Sequence, residues 1–569
     1  MKALKRDINA LTGREYDLVI VGGGIFGVCA AWDAALRGLS VAILEKKDFS
    51  HATSANHLKM VHGGIRYLQH GDISRVRESS RERSALLRVA PHLVKPLPIV
   101  IPTYGHGMKG RLPLRLGMLI YDLVTMDRND GLLTERRIPL GRLISRQEIL
   151  TLFPDLEVKG LTGGAIFYDG QMYNPPRLAI SFLRSAVNEG ADAANYAEVI
   201  GFLQRNGRIC GVTVKDILSG DVFEVRSKMI LNAAGSWGHR LLEYYLGMKL
   251  KPKPSFSRDL AFAIKRRFPH DYGLAFTSKS KDADSIVDRG GRHFFTAPWR
   301  QFTLVGVWHR VFDCPLEEIT VTEAELQDCI FQVNSAFPGM TAKYEDITTV
   351  YTGLTLFGDD HDKTGNDLSF GKRSILIDHR KNHGLEGIIT LIGVRATTAR
   401  GLAERSIDLV LEHLGQNLIK CKTETTPIFG GQIDSLKGLI SEAIEKRPPG
   451  ATAEQAEALV YNYGSYYTRI LEYVEGGAKQ KLSVADDVLR RAEVSHAIQE
   501  EMANKLEDVV FRRTDLASGG SPGKAAIENC AKWMAEEMGW SNERQEQEVN
   551  EVFSHLAAPW KARLRHTPE

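Results

Sequence analysis

Gly22-x-Gly24-x-x-Gly27 constrains this chain more than any other feature. It follows YDLVIV, residues 16–21, a continuous apolar run of the kind a strand buried on both faces requires. It opens IFGVCAAWDAALR, residues 25–37, small and apolar residues at helical spacing that Gly38 closes. LSVAILE then reads as a second buried strand ending at Glu45, which completes a βαβ unit. In such a unit Gly22 permits the tight turn, Gly24 lets backbone approach a pyrophosphate, and Gly27 lets the helix pack closely. The helix N-terminus at Ile25 offers unpaired N–H groups to phosphates, and Glu45, followed by Lys46, accepts from ribose hydroxyls.

The 569 residues, with 43% apolar and 25% charged side chains, describe a folded protein with several cores or one large core with additions. The 73 basic and 70 acidic residues leave a net charge of +3, and there is no basic tail, so a nucleic-acid binder is disfavoured. Cysteines at 29, 210, 314, 329, 421 and 530 form no CxxC pair and no Cys/His spacing of the zinc or iron–sulfur kind, so no metal is expected. The first 17 residues lack the apolar core of a signal peptide, and no apolar run reaches the roughly 18 residues of a membrane span. These features point to a cytoplasmic protein.

Further along, AEVIGFLQRNGRICGVTVKD reads as a strand meander that includes Val199, and MILNAAGSW as a buried strand ending on a small-residue turn. GIITLIG is another buried strand, followed by the amphipathic helix of VRATTARGLAERSIDLVLEHL. Residues 255 to 355 alternate in strand fashion, and helical pattern dominates from about residue 430. The fold expected is α/β: a Rossmann-like dinucleotide-binding domain, an antiparallel-sheet substrate domain and a C-terminal helical domain. The expected division is 1–90, 161–250 and 366–420 for the nucleotide-binding domain, 91–160 for a cap segment, 251–365 for the substrate sheet and 421–569 for the helices.

After the second strand comes FSHATSANHLKMVHGGIRYLQHGD and then a basic helix, RVRESSRERSALLRVAPHL. This run resembles a segment of the FAD-dependent glycerol-3-phosphate dehydrogenases of the aerobic type, among the D-amino-acid-oxidase-like flavoproteins. In that family an ATS piece, here ending Thr53-Ser54, wraps the cofactor, and an HGG-[LI]-RYL piece, here His62 to Leu68, reaches the flavin face. MILNAAGSW is similar to the family's second flavin strand, TTARGLAE to its late flavin helix, and AEVSHAIQEEMANKLEDVVFRRT to its C-terminal signature. The resemblance runs from about Tyr16 to Arg513. It implies FAD bound by Gly22, Gly24, Ile25, Gly27, Glu45, Lys46, Thr53, Ser54, His62, Gly63, Gly64, Val199, Ala234, Gly235, Trp237, Gly393, Thr397 and Thr398. It also implies oxidation of the secondary alcohol of glycerol 3-phosphate to dihydroxyacetone phosphate, with hydride passing to flavin N5.

The residues themselves fit such a reaction. A helix beginning near Ala396 points its positive end at the strand terminus, where a reduced flavin carries negative charge, and Thr397 and Thr398 either serve that end or simply cap it. Hydride removal from a carbinol needs a base and cations beside the developing oxyanion: His62 and His309 are the candidate bases, Arg66 and Arg395 the candidate cations. Arg66, Tyr67, Trp308, His309, Thr355 and Arg395 are the expected substrate contacts.

The substrate half departs from the family pattern. Where the family carries Tyr-[Ser/Thr]-Gly-[Val/Leu]-Arg-Pro, whose arginine grips the phosphate, this chain has Tyr351-Thr352-Gly353-Leu354-Thr355-Leu356. Ile-Gly-Thr-Thr-Asp becomes Val305-Gly306-Val307-Trp308-His309, and the lysine of Gly-Gly-Lys-Leu-Thr-Thr-Tyr becomes Arg395. Two readings stand. In one, other cations such as Arg66, Arg395, Arg258 or Arg292 hold the phosphate of glycerol 3-phosphate. In the other, a remodelled pocket oxidises a different polyol, alcohol or phosphate ester, with Trp308 stacked on it and oxygen as an acceptor. Without a cysteine-rich extension, electrons leave to a quinone, oxygen or a small carrier. KGRLPLRLGMLIYDLV, basic and then apolar, fits either peripheral contact with the inner face of the cell membrane or an ordinary buried helix. A homodimer is an open option.

Overall fold

Continuous apolar strands flanked by helices demand a parallel sheet covered on both faces, and the computed structural model shows one. It describes residues 2–105, 111–250, 254–266, 268–277, 293–312, 319–357, 374–477 and 487–556. Glu15–Val21 sits between Val41–Leu44 and Val222–Asn232, all parallel, with Ile388–Ile392 and Asp192–Ala194 extending the ladder on either side. Ile375–Asp378 closes one edge antiparallel. The expected meander is the hairpin Ala197–Arg205 and Arg208–Asp216, which pairs onto Val222–Asn232. The helices Ile25–Leu36, Pro175–Asn188 and Ala399–His413 bury their apolar faces on this sheet, with Trp32 and Phe182 ring to ring at 5.4 Å.

Among the described residues the second sheet has nine strands. Ser255–Lys265 lies between Phe302–Phe312 and Ile347–Phe357, and the order continues through His293–Trp299, Gly273–Thr277, Val94–Tyr104 and Leu161–Met172. Leu161–Met172 was expected in the nucleotide-binding segment 161–250. It instead pairs with Val94–Tyr104 over eleven residue pairs, since both strands present apolar residues to the same core. The helix Glu323–Ala336, also unexpected within the alternating stretch, covers the outer face of this sheet through Leu326, Ile330 and Val333.

The C-terminal helices, from Leu436 to Leu556, dock onto the nucleotide domain through buried charge. Asp48 accepts from Arg512 Nε at 2.5 Å and from Arg513 at 2.6 and 2.7 Å, and Arg177 pairs with Glu501. The two flanking guanidiniums hold the Asp48 carboxyl far below the usual carboxylate range despite its burial.

Candidate active site

The glycine turn is built by contact. Gly22, at φ +110°, donates its N–H to the Leu44 carbonyl at 2.8 Å, and a β-carbon on it would lie 2.7 Å from the Ala233 carbonyl oxygen. Beneath it Gly27 packs the helix against the strand. A β-carbon on Gly24 would meet the Ser54 hydroxyl at 3.1 Å and no backbone atom within 4 Å, so no main chain closes this side of the turn. No side chain caps the helix at Gly24; the Ile25 N–H donates to Ser54 Oγ at 2.9 Å. Glu45 lies on the wall and accepts from the Gly23 N–H at 2.8 Å and the Lys47 N–H at 3.0 Å, which fixes its carboxylate.

This turn forms one end of a cavity of about 1010 Å³ between the two sheets. Gly22, Gly24, Ile25, Glu45, Lys46, Thr53, Ser54, Val199, Ala234, Gly235 and Trp237 line it, with Lys46 Nζ 4.7 Å over the Trp237 ring. Farther in, the wall continues with His62, Gly64, Tyr67, Gly393, Arg395 and Thr397, and then His309 and Thr355. Thr53 bonds the backbone of Leu354, tying the cofactor loop to the substrate sheet, and the His62 N–H donates to Thr397 Oγ1 at 3.1 Å. The expected cofactor residues thus converge from segments more than three hundred residues apart.

Gly27, Gly63 and Thr398 stand behind the wall. Gly63 donates to Asp169 and accepts from Tyr121 Oη at 3.0 Å, and a β-carbon there would strike the Arg83 guanidinium at 2.1 Å. Thr398 bonds the Arg395 carbonyl and is buried, as a turn residue. The side chain of Arg66, and all of Arg292, lie outside the described residues.

On the substrate side two expectations are corrected. Trp308 does not face the cavity. It is 1% exposed, stacked on Phe262 at 5.4 Å, with its indole N–H on Gln332. Adjacent strand residues point to opposite faces, so once His309 turns to the cavity Trp308 must turn to the core. Arg258 is likewise committed elsewhere, to the Thr320 carbonyl and the Glu325 carboxylate. Arg395 does reach the wall, donating to Tyr67 Oη at 2.9 Å and Ser79 Oγ at 2.8 Å, with Glu78 at 3.5 Å.

Asp259 was missed by sequence reading because a single carboxylate on an alternating strand carries no motif. It lines the cavity and accepts from His309 Nδ1 at 2.7 Å, Ser257 Oγ at 2.8 Å and Thr355 Oγ1 at 2.9 Å. Also lining the cavity is His57, whose pKa burial pushes down to about 3. Behind it Lys59 stands 3.2 Å over the Tyr351 ring, and burial pulls its ammonium well below the usual lysine range.

Comparison with known proteins fits this geometry. Residues 17–389 match the FAD dependent oxidoreductase family, and residues 421–545 match the C-terminal domain of alpha-glycerophosphate oxidase. The chain is 30% identical to a glycerol-3-phosphate dehydrogenase of Synechocystis sp., covering 97% of this chain and 98% of that protein. It is also 30% identical to the aerobic glycerol-3-phosphate dehydrogenase of Bacillus subtilis, covering 90% and 89%. The crystal structure of the glycerol-3-phosphate dehydrogenase from Bacillus halodurans complexed with FAD superposes with a TM-score of 0.75 at 23% identity, covering 96% of each chain, and shares the fold.

Proposed function

The chain belongs to the FAD-dependent glycerol-3-phosphate dehydrogenase family, and on that premise we propose that it oxidises the secondary alcohol of glycerol 3-phosphate to dihydroxyacetone phosphate. The observation that carries this reading is the single cavity running from the Gly22–Gly24 cradle to a wall bearing Arg395, Tyr67 and His309. Gly24 has no backbone against it where a pyrophosphate would lie, Glu45 is held where it could meet a ribose, and Ala396 and Thr397 line the same cavity, so the residues fit FAD. Bound there, FAD supplies a two-electron acceptor for hydride. The protein's own groups then bind the phosphate ester, stabilise the alkoxide and take the hydroxyl proton. Arg395 is the cation placed for the anionic substrate, and the Tyr67 ring 5.1 Å below its guanidinium keeps it extended toward the wall.

Thr355 stands where the family's arginine would be and is bonded to Asp259, an arrangement that favours hydroxyl groups over a second phosphate contact. That observation keeps a neutral polyol as the second reading. Anaerobic mixing with glycerol 3-phosphate, glycerol and larger phosphate esters separates the two. Fastest bleaching by glycerol 3-phosphate supports the first reading; bleaching by glycerol alone overturns it.

For the electrons, we place a membrane quinone at the helix Arg111–Val124. Its inner face is fixed by Met118 and by Tyr121, which bonds the Gly63 carbonyl. Its outer face shows Leu116, Leu119, Ile120 and Leu123 to solvent, Leu119 at 56% and Leu123 at 58% exposure, with Met126 just beyond. That apolar stripe, on a helix whose sequence KGRLPLR is basic at its start, suits an anionic lipid surface. None of the helices among the described residues is long and apolar enough to cross a membrane.

A further inference from the structure

We infer that Asp259 is the positioning residue that makes His309 the base of the oxidation. The inference rests on the reading of this cavity as an alcohol-oxidising site and deepens it by choosing between two histidines.

The placement follows from strand register. Asp259 stands directly opposite His309 on the neighbouring antiparallel strand, and Ser257 stands opposite Thr355 on the strand to its other side. Period two puts Ser257 and Asp259 on one face, so three polar side chains from three strands meet at one carboxylate. Asp259 Oδ1 accepts from His309 Nδ1 at 2.7 Å and from Ser257 Oγ at 2.8 Å, while Oδ2 accepts from Thr355 Oγ1 at 2.9 Å. An ionised carboxylate only accepts, so the 2.7 Å bond requires the proton on Nδ1. In the neutral ring the lone pair is then on Nε2, the tautomer a base needs. Ser257 and Thr355 bond one oxygen each and keep the carboxylate from rotating away.

His62 has no such support. Its nearest carboxylate oxygen, Asp169 Oδ2, is 3.6 Å from Nδ1, beyond hydrogen-bond reach, and the other Asp169 oxygen takes the Gly63 N–H at 2.6 Å. Trp308, locked against Phe262 on the opposite face, anchors the strand that carries His309.

The step balances with the groups already named. The substrate O–H proton would pass to His309 Nε2, and the carbinol hydrogen would leave with its electron pair as hydride, for which FAD, when held by the glycine cradle, would supply the two-electron acceptor. The C–O bond becomes a carbonyl, and Asp259 stabilises the imidazolium without taking its proton.

The test uses FAD-loaded full-length protein labelled with 15N on the histidine rings. The His309 signals are assigned by their loss in His309→Gln. Long-range proton–nitrogen correlations are expected to show His309 protonated at Nδ1 in the wild type and at Nε2 in Asp259→Asn. In single-turnover flavin reduction by glycerol 3-phosphate, Asp259→Asn should slow the limiting rate on the order of 10²-fold or more. FAD content and the half-saturating substrate concentration should change little, and Asp259→Glu should recover part of the rate. A wild-type His309 protonated at Nε2, or an Asp259→Asn variant reduced at the wild-type rate, overturns the inference. A wild-type flavin that glycerol 3-phosphate does not bleach counts against the proposed substrate alone, and the ring correlations then decide the role of Asp259.

Discussion

Gly27 lies so close to Gly22 that a β-carbon on it would sit 1.9 Å from the Gly22 carbonyl oxygen. The contact is backbone against backbone, and no side chain can rotate out of the way. Gly24, two residues beyond Gly22, has nothing within reach but a serine hydroxyl at 3.1 Å. The two glycines therefore answer to different demands, one to packing and one to a ligand. Gly27→Ala should cost folded yield, read as soluble protein and thermal midpoint. Gly24→Val should fold but purify colourless, because its branched side chain occupies the phosphate space. A yellow Gly24→Val protein with full flavin content would contradict the assignment.

Arg395→Ala should lower kcat/KM for glycerol 3-phosphate by on the order of 10²-fold, as removal of a charged contact of about 2–5 kcal/mol implies. FAD content should stay at the wild-type level, since the guanidinium bonds Tyr67 and Ser79 rather than the glycine cradle. Arg395→Lys should fall between, because an ammonium restores charge without the planar fork. Steady-state kinetics beside flavin absorbance checks both.

Replacing Leu119 and Leu123 with glutamate should abolish sedimentation with vesicles of anionic phospholipid and slow quinone reduction. Bleaching of the flavin by substrate should remain at the wild-type rate, since both side chains point to solvent. Unchanged vesicle binding would remove the lipid assignment of this helix.

Lowering the pH below about 6.5 should draw stability from the buried neutral histidines, while Glu493 and Asp508, whose carboxyls burial raises to about 7 and about 6, act in the opposite sense. His92 is 1% exposed, neither ring nitrogen has a hydrogen-bond partner among the described residues, and burial pushes its pKa down to about 3. Between the unfolded value of about 6.5 and the folded value the unfolded chain binds a proton that the folded chain refuses, so stability falls as pH falls. His57, pushed down to about 3, and His379 and His496, pushed down to about 4, act in the same sense. From about pH 6.5 to pH 5 His92 alone costs about 2 kcal/mol. His92→Leu should therefore flatten the acid loss of thermal midpoint while leaving the neutral value little changed.

The nucleotide-binding half was legible in the sequence because its signals are local: an apolar strand, three glycines and an acid at fixed spacing. The 3-10 turn at Ala396–Thr398, leading into the helix Ala399–His413, also fell where the strand–turn pattern put it. The substrate wall was less legible because it is assembled across strands. Whether Trp308 or His309 faces the cavity depends on strand phase, which the segment VGVWHRV does not reveal when both neighbours are large. Asp259 matters through a residue fifty positions away, a relation that exists only in register. The docking of Arg512 and Arg513 on Asp48 is of the same kind, linking the C-terminal helices to the loop just past Glu45.

Anaerobic stopped-flow mixing of the FAD-loaded protein with glycerol 3-phosphate reads directly whether this cavity oxidises that substrate. Complete bleaching of the visible flavin bands in a single turnover is expected, with one dihydroxyacetone phosphate formed per flavin. A flavin that stays oxidised with glycerol 3-phosphate, while another alcohol bleaches it, would show that glycerol 3-phosphate is not the substrate of this cavity.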